Sequence, residues 1–163
     1  MSSASDIARI LEQETKLVFP SFDEDDAFAI GGAVKAALDD AKLCALIDVR
    51  LWDRQLYCCA MKGTTADNAD WVRRKVNVVQ RFQTSSYRKA LEMADVGKVF
   101  ERARGTDPID YATAGGGFPI RIKKGPIVGC ITVSGLPQRD DHRMVVEAIA
   151  RHLGIGLAGL ALD

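Results

Sequence analysis

The chain is 163 residues long, with 47% hydrophobic and 27% charged residues, a composition that fits a folded globular protein and excludes a disordered one. Its 22 Lys+Arg balance 22 Asp+Glu, so the global positive field that draws proteins to nucleic acid is absent and no DNA or RNA partner is expected. No apolar run approaches the roughly 20 residues needed to cross a bilayer, and "MSSASDIARILEQE" lacks the basic start and apolar middle of a signal peptide. The expectation is a cytoplasmic protein without a membrane partner, folded as a single domain over residues 1–163.

In chain order, "SDIARILEQETKLVF" places Ile7, Ile10, Leu11, Leu17 and Val18 at helical spacing, and Pro20 closes that helix. A second helix is expected from Ser21 to about Lys42, with "SFDE" as a capping box and Gly31 and Gly32 marking a close approach by another backbone. "CALIDVRL" and "QLYCCAMK" form an antiparallel hairpin, and the apolar residues on both faces of the second run mark it as a central strand. A helix capped near Asp67 or Asn68 runs to about Phe82, and "SSYRKALEMADVGKVFERARG" continues as shorter, polar helices. "FPIRIK" and "IVGCITVSG" make a second hairpin turning at "KKGP", and a last helix begins near Asp140. This order gives an α+β fold, an antiparallel sheet flanked by helices. Cys44, Cys58, Cys59 and Cys130 lie in apolar runs without CxxC spacing, so buried, reduced thiols are expected.

Charge is segregated although it cancels. Met1 to Asp40 holds nine acids against three bases, and Trp71 to Arg104 holds nine bases against three acids. Such faces are either solvated helix surfaces or complementary patches that orient subunits.

Three features bear on function. Gly115, Gly116 and Gly117 lead into Phe118, Pro119 and a strand; a phosphate loop leads into a helix N-terminus, so that chemistry is excluded. The glycines then serve positive φ or close approach, to a neighbouring strand or to a ligand. Lys75 falls inside the apolar arc of its helix, where it either snorkels outward or takes an anionic partner, Asp48 or a ligand carboxylate. His142 projects from the first turn of the last helix near the centre of its apolar face, as a hydrogen-bonded core residue or as a ligand. No nucleophile elbow, HExxH motif or Cys–His pair in recognisable context appears, and Ser134 with His142 lacks an orienting acid, so catalytic residues remain unassigned.

"DNADWVRRKVNVVQRFQTSS", "GGGFPI" and "GCITVSGLPQRDDH", taken together and in this order, resemble the haem-degrading-domain family in its small uncharacterised branch, whose relatives include haem-binding sensors and the C-terminal domain of PduO-type adenosyltransferases. The resemblance implies a profilin-like fold with an antiparallel sheet of about five strands, assembled into dimer-based homo-oligomers, octamers or decamers. It also implies haem, or a related tetrapyrrole, as cofactor or ligand, and its family label carries haem degradation. The residues that match and would line a ligand site are Asn68, Trp71, Arg74, Lys75, Gly116, Gly117, Phe118, Ser134 and His142, with His142 as the haem axial ligand. The expected function is therefore binding of a small anionic ligand, haem included, between helices and sheet; the alternatives are a non-catalytic scaffold, on which the apolar tail "LGIGLAGLALD" would dock a neighbouring subunit, or a haem-degrading enzyme.

Overall fold

A computed structural model of the protein describes residues 3–162. Four strands form its sheet: β1 (Leu46–Leu51), β2 (Gln55–Ala60), β3 (Gly117–Arg121) and β4 (Ile127–Ser134). They are antiparallel in the order β2-β1-β4-β3, so the two local hairpins meet through the β1–β4 pairing, in register from Leu46↔Ser134 to Leu51↔Gly129. The expected α+β architecture is present, with four strands where about five were anticipated. A single parallel bridge between Phe19 and Ile122 lies beyond β3, where the Phe19 amide donates to Arg121 and its carbonyl accepts from Lys123. One residue of added pairing protects that edge without making a fifth strand.

Alternation along β1 and β4 sends their side chains to two different helical layers. Ile47, Val49, Ile131 and Val133, with Phe118 and Ile120 of β3, pack against α2 (Glu24–Asp40) and α5 (Gln138–His152) through Ile30, Val34, Leu38, Val145 and Ile149. The opposite face, through Leu46 and Cys130, meets Val72, Val76 and Val79 of α3 (Ala66–Phe82). Each of these large side chains is buried, contributing about 1.5–3 kcal/mol on removal from water. Helix α1 (Ser3–Lys16) and helix α4 (Ser86–Asp95) join through Glu14, which accepts from the Ser85 amide at 2.7 Å and pairs with Arg88 at 3.1 Å. A short 3-10 turn spans Arg102–Arg104. No helix among the described residues is long and apolar enough to cross a membrane.

Several local expectations are corrected. The cap of α2 is Asp23, not Ser21: its carboxylate accepts from the amides of Asp25 and Asp26 while Asp26 reaches back to the Asp23 amide. A carboxylate two residues on satisfies the same helix-start donors as the serine would, and two equivalent cap sets lay side by side in the sequence. Strand β2 is at the edge, not the centre, because β4 takes the other side of β1. On that edge strand Cys58 is consequently exposed and Cys59 half-buried; Cys44, before β1, is also exposed, leaving Cys130 as the buried thiol, its pKa pushed up to about 12 by burial. The apolar tail is tied to its own chain at Leu160, which is buried and whose carbonyl accepts from Gln13 Nε2 at 2.6 Å, while Leu153, Ile155 and Leu157 stay partly exposed.

The two glycines of α2 differ in kind. A Cβ on Gly31 would lie 2.4 Å from the Tyr57 ring, whereas one on Gly32 would meet nothing within 4 Å. The close neighbour is thus an aromatic side chain of β2, not another backbone. Gly32→Ala should raise stability by about 0.4–1 kcal/mol by restricting the unfolded chain, and Gly31→Ala should lower it by about 1–3 kcal/mol through overpacking. Urea denaturation midpoints of the two variants are expected to move in opposite directions.

Candidate functional site

The start of α3 is tied to the end of β4. Thr65 precedes the helix, and Asn68, three residues on, reaches back to accept from the Thr65 amide at 2.8 Å while its Nδ2 donates to the Ser134 carbonyl at 3.2 Å. The cap therefore sits a few residues before the expected Asp67 or Asn68. About one turn later comes Trp71, whose indole N–H donates to Asp67 at 3.1 Å, and another turn along the same face comes Lys75. Its ammonium is buried, donating to Asp141 Oδ2 at 2.8 Å and to the Val133 carbonyl at 3.0 Å. The other oxygen of Asp141 accepts from the Leu136 amide at 3.0 Å.

These residues form one wall and the floor of a cleft of about 280 Å³ between the N-terminal ends of α3 and α5, with Ala114, Leu136 and Gln138 closing the other side. Burial pulls the Lys75 pKa below the ordinary lysine value and pushes the Asp141 carboxyl above its own, with the facing charge opposing the shift in each. The pair is held because each charge answers the other and a backbone group completes it. Lys75 has three N–H donors and spends two. The Ser134 hydroxyl has no hydrogen-bond partner among the described residues, and Pro137 at the N-cap of α5 supplies no side-chain acceptor to that helix start. The cleft floor therefore holds two uncommitted donors, the third Lys75 N–H and the Ser134 hydroxyl.

Gly116 explains the glycine run. Its φ is +122°, and a Cβ there would lie 2.4 Å from the Val133 carbonyl and 2.8 Å from Lys75 Nζ. The close approach is made by the protein's own ion pair, which a side chain at this position would displace. Next to it, the Gly117 amide donates to Ser86 Oγ at 2.9 Å.

Of the nine residues singled out from the sequence, Asn68, Trp71, Lys75 and Ser134 line the cleft, and Gly116 backs the ion pair. Arg74 stands outside it, its guanidinium 4.5 Å from the Trp71 ring and donating to the Pro108 carbonyl at 2.9 Å. Phe118 and His142 lie deeper, their rings 5.8 Å apart, with Tyr87 5.3 Å from the imidazole. His142 is fully buried and bonds Gln13 Oε1 through Nε2 at 2.8 Å. Since Gln13 donates its amide to Leu160, its oxygen is the acceptor; Nε2 carries the proton, and Nδ1 has no partner among the described residues. Burial, reinforced by the nearby Arg139 charge, lowers the His142 pKa to about 3.

Asp48, considered as the partner of Lys75, is instead held by Arg50 at 2.7 Å and by Gln55. The residue that answers the lysine, Asp141, belongs to the quoted "SGLPQRDDH" segment; its sequence signal was an acid beside an inward histidine in a helix's first turn. Leu136 lies in the same matching segment, whereas Gln138 gave no such signal, being ordinary in type and brought to the cleft by the turn between β4 and α5.

A family model described as "Haem degrading protein HbpS-like" matches residues 22–150. The chain belongs to the HbpS-like haem degrading protein family. Among relatives, a UPF0303 protein of Mesorhizobium japonicum is 49% identical over 162 residues, covering 99% of this chain and 97% of the relative. The solved structure of Ybr137w protein superimposes with a TM-score of 0.83 at 25% identity, covering 91% of this chain and 89% of that one. The chain solved as a PduOC:heme complex gives a TM-score of 0.69 at 14% identity over 83% and 97% of the two chains, a likeness of fold.

In this HbpS-like chain, Lys75→Met leaves Asp141 buried without its counter-charge and should cost about 3–5 kcal/mol, whereas Lys75→Met with Asp141→Leu should recover most of that loss; chemical denaturation of the single and double variants measures both. His142 adds a pH signature. Its folded pKa lies below the unfolded value, so the unfolded chain takes up a proton that the native state refuses, and stability falls as pH drops from about 6.5 towards 3. Between pH 7 and pH 4 His142→Gln should lose about 2–3 kcal/mol less stability than the wild type, measured by urea unfolding at each pH.

Proposed function

We propose that this HbpS-like protein binds a small ligand through a carboxylate seated in the cleft between α3 and α5, and that the carboxylates of a tetrapyrrole are the first chemistry to test there. The observation that carries this is the donor pair at the cleft floor: the third N–H of Lys75 and the Ser134 hydroxyl. Trp71, Leu136 and Ala114 offer apolar surface beside those donors. With Lys75 already answered by Asp141, and Asp67 also on the lining, recognition rests on hydrogen bonds more than on net charge.

Family membership and the haem-bearing fold neighbour favour haem as the molecule to titrate, but the cleft residues do not fit an iron-ligating role. No His, Cys, Met or Tyr is among them, and His142, sealed against Gln13, Tyr87 and Phe118, does not fit an axial role in this conformation. A cleft of about 280 Å³ is at the small end of the roughly 300–1,000 Å³ of ligand pockets, so it would seat the acidic edge of a macrocycle with the rest of the ring lying outside.

The test is a tryptophan-quenching titration with haem and with iron-free protoporphyrin IX, on wild type, Ser134→Ala and the Lys75→Met/Asp141→Leu double variant. Both porphyrins should bind the wild type within severalfold of one another, and the double variant should weaken both at least tenfold. A Soret shift seen only with iron and lost in His142→Ala or in His152→Ala would overturn the proposal. The His152 outcome would move the ligand to the separate cleft of about 480 Å³ that His152 lines with Phe19 and Lys123.

A further inference from the structure

The basic stretch from Trp71 to Arg104 does not spread its charge evenly over the surface. Arg81, Lys89, Lys98 and Arg104 surround a second hollow of about 220 Å³, between the C-terminal half of α3, α4 and the 3-10 turn, and no acidic side chain among the described residues lines it. Its floor is aromatic: Phe82 and Phe100 stack with centroids 5.7 Å apart and ring planes 18° apart. Lys89 Nζ stands 4.6 Å from the Phe82 centroid and the Arg81 guanidinium 5.8 Å from it, so the cations are held over π faces.

Two of the four cations have no carboxylate partner among the described residues. Arg81 donates to the Gly105 carbonyl at 2.5 Å and to the Tyr111 hydroxyl at 3.2 Å, both neutral groups, and the Lys98 ammonium makes no ion pair or hydrogen bond among the described residues. Arg104 pairs with Glu101 at 3.1 Å, and Lys89 reaches Glu92 only at 3.8 Å. A neutral chain thus concentrates uncompensated positive charge around one apolar hollow, an arrangement that focuses the field on an anion. Val99, on the rim, is 65% exposed, leaving apolar surface open to whatever enters.

The geometry points to a second ligand site, independent of the α3–α5 cleft, that takes a small flat aromatic monocarboxylate. The ring packs against the apolar lining of Phe82, Met93, Val99 and Phe100, and the carboxylate is held among Arg81, Lys98 and Arg104. The size of the hollow bounds the class: about 220 Å³ is below the range for drug-sized ligands, so the occupant is one or two fused rings and not a macrocycle. Charge complementarity selects an acid over its neutral isostere.

The experiment titrates 2-naphthoate, and separately the uncharged 2-naphthamide, into the whole protein followed by backbone and methyl NMR. Saturable shifts for naphthoate should centre on Met93, Lys98 and Phe100, with affinity falling as salt rises. Naphthamide should bind at least fivefold more weakly, and the exposed substitutions Lys98→Glu and Arg104→Glu should each weaken naphthoate severalfold while leaving the thermal midpoint unchanged. Equal binding of acid and amide would overturn the proposal, as would indifference to both substitutions or shifts centred on the Trp71 indole. A rise in molecular mass on dilution-reversible self-association, with the same residues shifting in the absence of naphthoate, would likewise overturn it by assigning the hollow to a second copy of the chain.

Discussion

One buried ion pair sets the terms for the functional end of the molecule. Lys75 and Asp141 come from helices on opposite faces of the sheet, and they meet only beyond the strand ends, where β4 has turned towards α5. Their contact fixes the spacing between the two helix starts, and with it the width of the cleft. Around the pair, backbone groups fill the remaining bonding positions: the Val133 carbonyl accepts from the lysine, and the Leu136 amide donates to the aspartate. Gly116 is needed because that carbonyl and that ammonium occupy the space a Cβ would take. A buried pair of this kind contributes less to stability than hydrophobic residues of similar volume would, and its removal on one side is severe, so its presence at a cleft is best understood as specifying the site's geometry.

The two histidines are used differently. His142 is part of the packing that joins α5 to α1 and to the tail: its proton goes to Gln13, and Gln13 in turn holds Leu160. An imidazole kept neutral in this way makes the core sensitive to acid, because charging it requires opening the helix layer. His152, at the far end of α5, bonds Asp26 of α2 at 2.8 Å and remains partly accessible. Placing the neutral, sealed imidazole at the centre and the accessible one at the margin separates a structural role from any role at the surface.

Much of the fold was legible in sequence because its signals are local. The five α-helices and both hairpins follow from apolar periodicity and turn residues over short windows, and the KKGP turn between β3 and β4 was visible as such. Errors occurred where a local pattern is degenerate. Ser21 and Asp23 are each followed three residues later by an acid, and either cap satisfies the same amides. Strand β2 carries apolar residues on both faces and so resembles a central strand, but whether a strand is central depends on which partner pairs with β1, a long-range choice. The exposure of Cys58 follows from that choice.

Amino-acid pattern alone determined the class of the fold, the family through its motifs, and the presence of two anomalies, a lysine and a histidine on apolar helix faces. Only the tertiary structure decided what each anomaly answers. Lys75 meets Asp141 66 positions away and His142 meets Gln13 129 positions away, and nothing in periodicity encodes which distant element will supply a partner. The hollow over Phe82 and Phe100 was hidden for the same reason: a count of bases reports net charge, whereas the clustering of Arg81, Lys89, Lys98 and Arg104 depends on the fold of α3, α4 and the turn that follows. Burial energy is gained by side chains wherever their periodicity directs them, but pairing and enclosure depend on where the chain returns.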